Sequence, residues 1–272
     1  MENLTKEKLE ELLTFVRDLA IKTGKLLLEH QAKAQVVTIK DRQDIATTAD
    51  LASEELSWQT ISQTYPDHGI TSEEKGSIRE TADFQWIIDP LDGTKEYVRD
   101  LPLFNSSMAL EYKGQLVVAA VYRPNEQSLY SAGLGLGAFK NGKKIHVSDK
   151  QELIDSFVYC YLPRYKADQD KIYDQSWDKL KKIGKKAYRL RALADENTMM
   201  CWVAQGGAEA YLNLSNIPKW HDIAPGLLIA KEAGARITNL AGQTYHSYNQ
   251  PESLVVSNGL IHNELLNVLK NI

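Results

Sequence analysis

Two aspartates, Asp89 and Asp92, stand three residues apart at the end of a short apolar run. The run predicts a strand, and Pro90 removes a backbone N–H and fixes the backbone where that strand is expected to end. Gly93 permits a tight turn, and Thr94 is expected to open a short helix whose free N–H groups and dipole attract anions. Carboxylates beside such a turn suit a divalent cation that holds a phosphate. The alternative is that these residue types serve only the shape of a turn.

Further acidic residues strengthen the first interpretation. Glu73 and Glu74 are adjacent after another predicted strand, and two negative charges so close repel each other without a counter-ion. Asp50 opens a predicted helix and, considered alone, is typical of a helix N-cap. Asp222 lies at a predicted helix start in the second half, where it too is a plausible cap, and we interpret His221 alone as a packing or hydrogen-bonding residue. Each residue is a weak signal, whereas the set indicates a metal centre.

These segments, in this order, resemble the inositol monophosphatase superfamily of Mg²⁺-dependent, lithium-sensitive phosphatases over nearly the whole chain. Residues 89–94 match the family motif D-P-[IL]-D-G-T, which is highly specific, and residues 72–74 match [GS]-E-E. Residues 222–226 and 232–235 resemble the family's W-D-x-A-x-G…E-A-G-G region, and residues 137–142 are similar to its G-A-F-x-N-G hairpin. The resemblance implies Mg²⁺-dependent hydrolysis of a small phosphate monoester.

The resemblance also implies which residues hold the ions. Glu73, Asp89 and the backbone carbonyl of Leu91 would bind the first Mg²⁺, and Asp89, Asp92 and Asp222 would bind the second, with Asp89 as the bridge. A third, weaker ion would use Glu73. Two or three Mg²⁺ ions per site are therefore expected.

A second group of residues is implied in catalysis and phosphate binding. Asp50 and Thr94 would polarise the attacking water, with Glu74 in support. The backbone N–H groups of Gly93 and Thr94 would bind the phosphate. The resemblance implies direct in-line attack by water and no phosphorylated enzyme.

Two departures from the family pattern concern the substrate side. His221 stands where the family usually has Trp, and Trp220 comes one residue earlier. Ala194 and Asp195 replace the usual Gly and small hydroxyl residue of the family's R-S-[IL]-G-[ST] stretch. An added carboxylate disfavours a second phosphate and accepts hydrogen bonds from sugar hydroxyls, so Asp195 is a candidate substrate-binding residue. An inositol or sugar phosphate is the expected substrate.

The residues after Thr94 favour an alternative substrate. Lys95, Glu96 and Tyr97 resemble the K-E-[FY] sequence of the bacterial 3′(2′),5′-bisphosphate nucleotidase branch, which implies 3′-phosphoadenosine 5′-phosphate as the alternative. Lys95 is equally typical of a solvated charge near a helix start.

Other functional classes fit less well. Haloacid-dehalogenase phosphatases need two aspartates two residues apart, whereas Asp89 and Asp92 are three apart. Residues 133–137 are Gly-rich, but no Lys-Ser/Thr follows them, and a β-turn is favoured over a nucleotide loop. An inactive scaffold with this fold stays open as a non-enzymatic alternative, although all the implied ligands are present.

The elements that must position these residues change in character along the chain. Helices and antiparallel strands in the first half, then alternating strands and helices, predict an α+β half at residues 1–148 followed by an α/β half at 149–272. The resemblance implies a layered αβαβα sandwich. The main predicted elements are helices at 4–31, 49–65, 169–183, 196–205 and 223–233, strands at 36–39, 84–88, 157–161, 208–212 and 253–257, and hairpins turning at 113–114 and 141–142.

Composition excludes several broad classes. The 272 residues are 43% hydrophobic and 25% charged, with a net charge of −4. The sequence has no concentrated basic stretch, so binding to a nucleic-acid polymer is not expected. No apolar run is long enough to cross a membrane, and the N-terminus has no signal pattern. Cys160 and Cys201 are too far apart to indicate a disulfide framework, which fits the cytoplasm. A homodimer is expected by analogy with the family.

Overall fold

The computed structural model describes residues 4–41, 44–165, 169–193, 195–214, 218–245 and 253–270. Amphipathic periodicity forms the longest helix, in which the buried side chains recur at helical spacing along one face. No helix among these residues is long and apolar enough to cross a membrane. The helices are α1 (Lys6–His30), α2 (Thr48–Thr64), α3 (Thr94–Tyr97), α4 (Asp170–Lys186), α5 (Glu196–Ala204), α6 (Trp220–Glu232) and α7 (His262–Lys270).

The described strands form three sheets. A two-stranded ribbon pairs β1 (Val36–Asp41) with β2 (Asp44–Thr47). The larger sheet has the order β10-β9-β8-β7-β6-β5-β3-β4, and its strands are β3 (Gly69–Ser72), β4 (Gly76–Ile78), β5 (Phe84–Asp92), β6 (Asn105–Tyr112), β7 (Gln115–Arg123), β8 (Ser128–Gly133), β9 (Gly137–Lys140) and β10 (Lys143–Ile145). The smaller sheet has the order β12-β11-β13-β15-β14, and its strands are β11 (Phe157–Tyr161), β12 (Arg189–Arg191), β13 (Ala210–Asn213), β14 (Arg236–Thr238) and β15 (Leu254–Ser257).

The elements stack in five layers, which confirms the expected αβαβα sandwich. α1 packs on one face of the larger sheet, where Leu12 and Val16 join a core with Trp86 and Ile88. α5 and α6 cover the other face and also pack against the smaller sheet. α4 and α7 close the outer face of the smaller sheet. Side chains alternate along β5, since Ile87 faces α5 and α6 while its neighbours face α1.

Local turn chemistry agrees with the sequence at both predicted hairpins. Lys113 and Gly114 have φ values of 51° and 76°, and Asn141 and Gly142 have 48° and 77°. Positive φ at both central residues is typical of the tight turns that match strand twist. The Gly-rich stretch 133–137 joins β8 to β9 and is a hairpin turn, so the nucleotide-loop alternative is wrong.

Two predicted boundaries differ in ways that matter for the site. The strand predicted at 84–88 continues through Pro90 to Asp92, because β5 stays paired with β6 on the far side of the proline. The helix predicted from residue 223 begins at Trp220, so Asp222 lies inside the first turn and the N-cap is Lys219. Asp222 is therefore not the N-cap of α6.

The two halves share a continuous interior. α5 and α6 belong to the second half, yet their side chains complete the core of the first sheet. The strands of the larger sheet all end by Ile145, and those of the smaller sheet begin at Phe157. Division into two domains after residue 148 stays a prediction.

Candidate active site

The centre of the site is an irregularity in β5. In a regular strand, residues three apart point to opposite faces. Asp89 pairs with Ser107 of β6 and Asp92 with Asn105, so β5 advances three residues while β6 advances two. The extra residue forms a bulge, and Asp89 and Asp92 line the same cavity.

The turn after the bulge depends on a glycine. Gly93 has φ of 95°, in the left-handed region, and an added Cβ would lie 2.6 Å from the backbone oxygen of Leu103. α3 follows at once but has a single turn, Thr94–Tyr97. The helix dipole expected at Thr94 is accordingly small. Gly93 and Thr94 nevertheless line the cavity.

Asp50 and Thr94 are directly joined. The Thr94 hydroxyl donates to Asp50 Oδ1 at 2.9 Å, and the Leu91 carbonyl oxygen lies 3.2 Å from the same hydroxyl. Asp50 Oδ2 accepts from the backbone N–H of Thr47 at 2.8 Å and from its hydroxyl at 2.5 Å, which forms a capping box at the start of α2. Burial raises the pKa of Asp50, and the hydrogen bonds from Thr47 and Thr94 oppose that rise.

Glu73 reaches the site because two strands are parallel. β3 and β5 pair in parallel with Ser72 opposite Ile88, so Glu73 and Asp89 follow at the same sheet edge. The buried carboxylate of Glu54 fixes this turn by accepting from the backbone N–H groups of Glu74 at 3.0 Å and Lys75 at 3.3 Å.

The second half contributes the first turn of α6. The Trp220 indole donates to Glu111 Oε1 at 3.0 Å, which holds the start of α6 against β6. Just before it, Lys219 Nζ lies 2.9 Å from Glu73 Oε1 and forms an ion pair between the two halves. Asp222, 28% exposed, enters the same cavity as Glu73.

Asn197 of α5 connects these parts. Its amide nitrogen lies 3.3 Å from Asp92 Oδ2, 3.2 Å from Ser107 Oγ and 3.3 Å from the carbonyl oxygen of His221, and its Oδ1 accepts from the backbone N–H of Gly226 at 2.8 Å. Asn197 is fully buried. One side chain thus ties the bulge of β5 to α6.

The carboxylates repel each other strongly. Burial raises the pKa of Asp89 well above its usual range, and the charges of Glu73, Asp222 and Asp50 add to the rise while Lys219 opposes it. Burial likewise raises the pKa of Asp92, with further contributions from Asp195, Asp89 and Asp222. Seven carboxylates line this cavity, more than the three cationic side chains of Lys95, Arg164 and Lys219 can compensate.

The cavity has a volume of about 250 Å³. All the predicted site residues except Asp50 and Glu74 line it, and Asp50 connects to it through Thr94. A larger cavity of about 660 Å³ lies beside α6 and β14, and the described residues around it include no carboxylate. The described residues that line the smaller cavity are Glu73, Asp89, Leu91, Asp92, Gly93, Thr94, Lys95, Glu96, Tyr161, Arg164, Asp195, Glu196, Lys219 and Asp222.

The donor set fits divalent cations. Hard cations such as Mg²⁺ prefer several carboxylate and carbonyl oxygens, and this cavity offers the four carboxylates predicted as ligands together with the region of the Leu91 carbonyl. Asp89 is 3% exposed, and no described residue donates a hydrogen bond to its carboxylate. A buried, charged and unpartnered carboxylate is costly unless a cation compensates it.

Two predicted residues have structural positions that the sequence did not indicate. Asp195 caps α5, with its Oδ1 accepting from the backbone N–H of Thr198 at 2.5 Å, and it also lines the cavity. Glu74 is half-buried and contacts Glu54 through its backbone. Ala194, the other departure noted in that stretch, lies outside the described residues.

Sequence reasoning missed several residues of the site. Asn197 carried no signal, because a buried asparagine within a helix has no distinctive pattern. Tyr161 and Arg164 line the cavity because they lie at and just after the end of β11, which pairs with the sequence-distant strand β13. Lys219 lies three residues before Asp222, and this proximity to a recognised motif was the available hint.

Known proteins match this chain over nearly all its length. The model of the inositol monophosphatase family matches residues 8–272. A fructose-1,6-bisphosphatase/inositol-1-monophosphatase of Aquifex aeolicus is 32% identical over 97% of this chain and 97% of its own. The Nus factor SuhB of Pasteurella multocida is 33% identical over 86% of this chain and 85% of its own. The solved inositol monophosphatase of Anabaena (Nostoc) sp. PCC 7120 superposes with a TM-score of 0.85 at 25% identity, covering 97% of each chain.

The layered fold, the carboxylate-lined cavity and these matches define a hydrolase that acts on phosphate monoesters, a phosphatase. Because the family model spans almost every residue, the chain belongs to the inositol monophosphatase family.

Proposed function

We propose that this chain hydrolyses an inositol or sugar monophosphate with Mg²⁺ by direct attack of water. The observation that carries the proposal is the convergence of Glu73, Asp89, Asp92 and Asp222 on one cavity. These side chains come from three separate segments and both halves of the chain. A fold has no structural need to bring four carboxylates together, and each would be more stable in solvent.

In this proposal Glu73, Asp89, Asp92, Asp222 and the Leu91 carbonyl hold two Mg²⁺ ions, with room for a third at Glu73. When bound, the ions neutralise the phosphate, lower the pKa of the attacking water and stabilise the leaving oxygen.

The other groups orient the reactants. Since the Thr94 hydroxyl donates its proton to Asp50, its oxygen lone pairs are directed to accept a hydrogen bond from water. The Thr94 hydroxyl would pass its proton to Asp50 Oδ1 as the Thr94 oxygen takes a proton from the attacking water, so that the proton lost by the water ends on Asp50. Glu74 supports this segment. The N–H groups of Gly93 and Thr94 bind phosphate oxygens, held in place by the left-handed Gly93.

The substrate assignment rests on the residues around the rim. Asp195 lines the cavity beside Asp92 and favours a ligand with hydroxyl groups over a second phosphate. Lys95 and Arg164 line the same cavity and favour the alternative, a 3′(2′),5′-bisphosphate nucleotide such as 3′-phosphoadenosine 5′-phosphate.

One experiment separates these possibilities. Phosphate release is measured with saturating Mg²⁺ for inositol monophosphate, a sugar phosphate, histidinol phosphate and 3′-phosphoadenosine 5′-phosphate, and kcat/KM values are compared. We expect the highest value for inositol or sugar phosphate. A clear preference for the bisphosphate nucleotide that is lost in Lys95→Gln establishes the alternative, and no turnover of any substrate refutes the proposal and favours an inactive scaffold.

Further properties are proposed with the function. The family resemblance supports inhibition by millimolar lithium and a homodimer, which phosphate release with LiCl and analytical ultracentrifugation test. Two buried, unpaired cysteines support a reducing cytoplasm. Several relatives are Nus factors, but the acidic net charge of −4 supports a small phosphorylated metabolite as the partner here rather than a nucleic-acid polymer.

A further inference from the structure

The side chain that departs from the family pattern, His221, enters the carboxylate centre. One of its ring nitrogens and one oxygen each of Glu73 and Asp89 lie within 4.8 Å of one another. Its Nε2 atom is buried and has no hydrogen-bond partner in the described part of the chain. Asp222 Oδ1 lies 3.3 Å from this nitrogen but lacks hydrogen-bond geometry.

The buried groups of this cluster are of the kind that metals bind. The Asp89 carboxylate is 3% exposed and accepts no hydrogen bond from a described residue. A buried polar atom without a partner costs about 1–3 kcal/mol. The His221 nitrogen is such an atom, and a cation bound between it and the carboxylates of Glu73 and Asp89 would satisfy it and offset their negative charge.

We propose that His221 is a direct metal ligand together with Glu73 and Asp89, and that this position therefore binds Mn²⁺ or another first-row transition ion more tightly than Mg²⁺. The inference rests on the proposed function, since it concerns the ion at the same centre. Mg²⁺ prefers oxygen ligands in near-octahedral geometry. An imidazole nitrogen adds affinity for borderline transition ions, and this shifts the preference away from Mg²⁺.

Lys219 already compensates part of the charge of this cluster. Its ammonium lies 2.9 Å from Glu73 Oε1, and its side chain is 45% exposed. A long, exposed side chain can turn towards solvent at little cost when a divalent ion binds. His221 has no such freedom, because its side chain is 13% exposed and sits on the first turn of α6 beside Asp222.

The test detects the metal–nitrogen bond itself. The full chain is labelled with nitrogen-15 at histidine, stripped with EDTA and loaded with Mn²⁺, and pulsed electron paramagnetic resonance records the coupling between Mn²⁺ and nitrogen-15. The matched variants are His221→Gln and, as the control, His146→Gln, which alters an exposed histidine outside the cavity.

We expect nitrogen-15 coupling in the wild type and in the control, and none in His221→Gln. Calorimetric titration should show Mn²⁺ binding weakened at least 10-fold in His221→Gln, as even the loss of an outer partner of a metal ligand costs 10–100-fold. Mg²⁺ binding should change much less. If His221→Gln fails to fold, His221→Asn takes its place in the same measurement, because the nitrogen-15 label marks all six histidines.

Other results overturn the inference in distinguishable ways. Stoichiometric Mn²⁺ without nitrogen-15 coupling in the wild type rules out His221 as a ligand and leaves the proposed function intact. A chain that binds neither Mn²⁺ nor Mg²⁺ and releases no phosphate refutes both proposals.

Discussion

Replacing Asp89 by asparagine should stabilise the metal-free protein while abolishing its response to Mg²⁺. Ligand oxygens of Asp89 and Glu73 lie within 4.8 Å, and two charges at that separation repel by about 3 kcal/mol at an effective dielectric constant of 20. Lys219 offsets part of this repulsion. In EDTA we therefore expect the free energy of unfolding of Asp89→Asn to exceed that of the wild type by about 1–3 kcal/mol. This corresponds to a rise in Tm of about 2–10 °C.

Mg²⁺ should reverse that order. An ion at 100 times its Kd stabilises the native state by about 2.7 kcal/mol, which corresponds to a rise in Tm of about 5–10 °C for a chain of this size. Asparagine carries no charge and bridges two cations poorly, so the variant should gain almost nothing and should also lose phosphatase activity.

Differential scanning calorimetry at pH 8, with EDTA or with saturating MgCl₂, measures both effects. Asp149→Asn, which changes an exposed aspartate outside the cavity, is the control and should behave as the wild type. The reasoning is refuted if Asp89→Asn melts below the wild type in EDTA, or if Mg²⁺ raises both melting temperatures equally.

Three further predictions concern other parts of the fold. Burial, with a contribution from the Arg236 charge, lowers the pKa of His262 to about 4, below its unfolded value of 6.5, so the stability it contributes is complete above pH 6.5 and is lost towards pH 4. Urea titrations should lose about 3 kcal/mol more over that range in the wild type than in His262→Gln, and equal losses would contradict this. Asn197→Ala removes the side-chain acceptor of the Gly226 N–H. It should lower the free energy of unfolding in urea by about 1–3 kcal/mol and weaken Mg²⁺ binding. Unchanged values of both would show that the network is dispensable. Gly93→Ala should lower kcat about 100-fold by displacing the turn, whereas Gly114→Ala, with similarly positive φ and open space around it, should leave kcat unchanged.

The amino-acid sequence alone determined the features that depend on near neighbours. The period of apolar residues along α1 and the positive-φ turns at 113–114 and 141–142 are local properties, and the structure confirms them. The segment around Asp89 could also be interpreted from its own residues, because proline and glycine at those positions determine the local backbone and the aspartates supply the carboxylates.

Only the tertiary structure decided how these pieces meet. Asp89 and Asp92 share a face because β6 pairs with β5 in a register that absorbs one extra residue, and no local pattern fixes the register of a distant strand. Asn197 and His221 acquire their roles from the packing of α5 and α6 between the two sheets. Both residues lie more than 100 positions along the chain from the bulge that they contact. Burial in that shared interior turns a histidine of ordinary sequence context into an unsatisfied nitrogen beside two carboxylates.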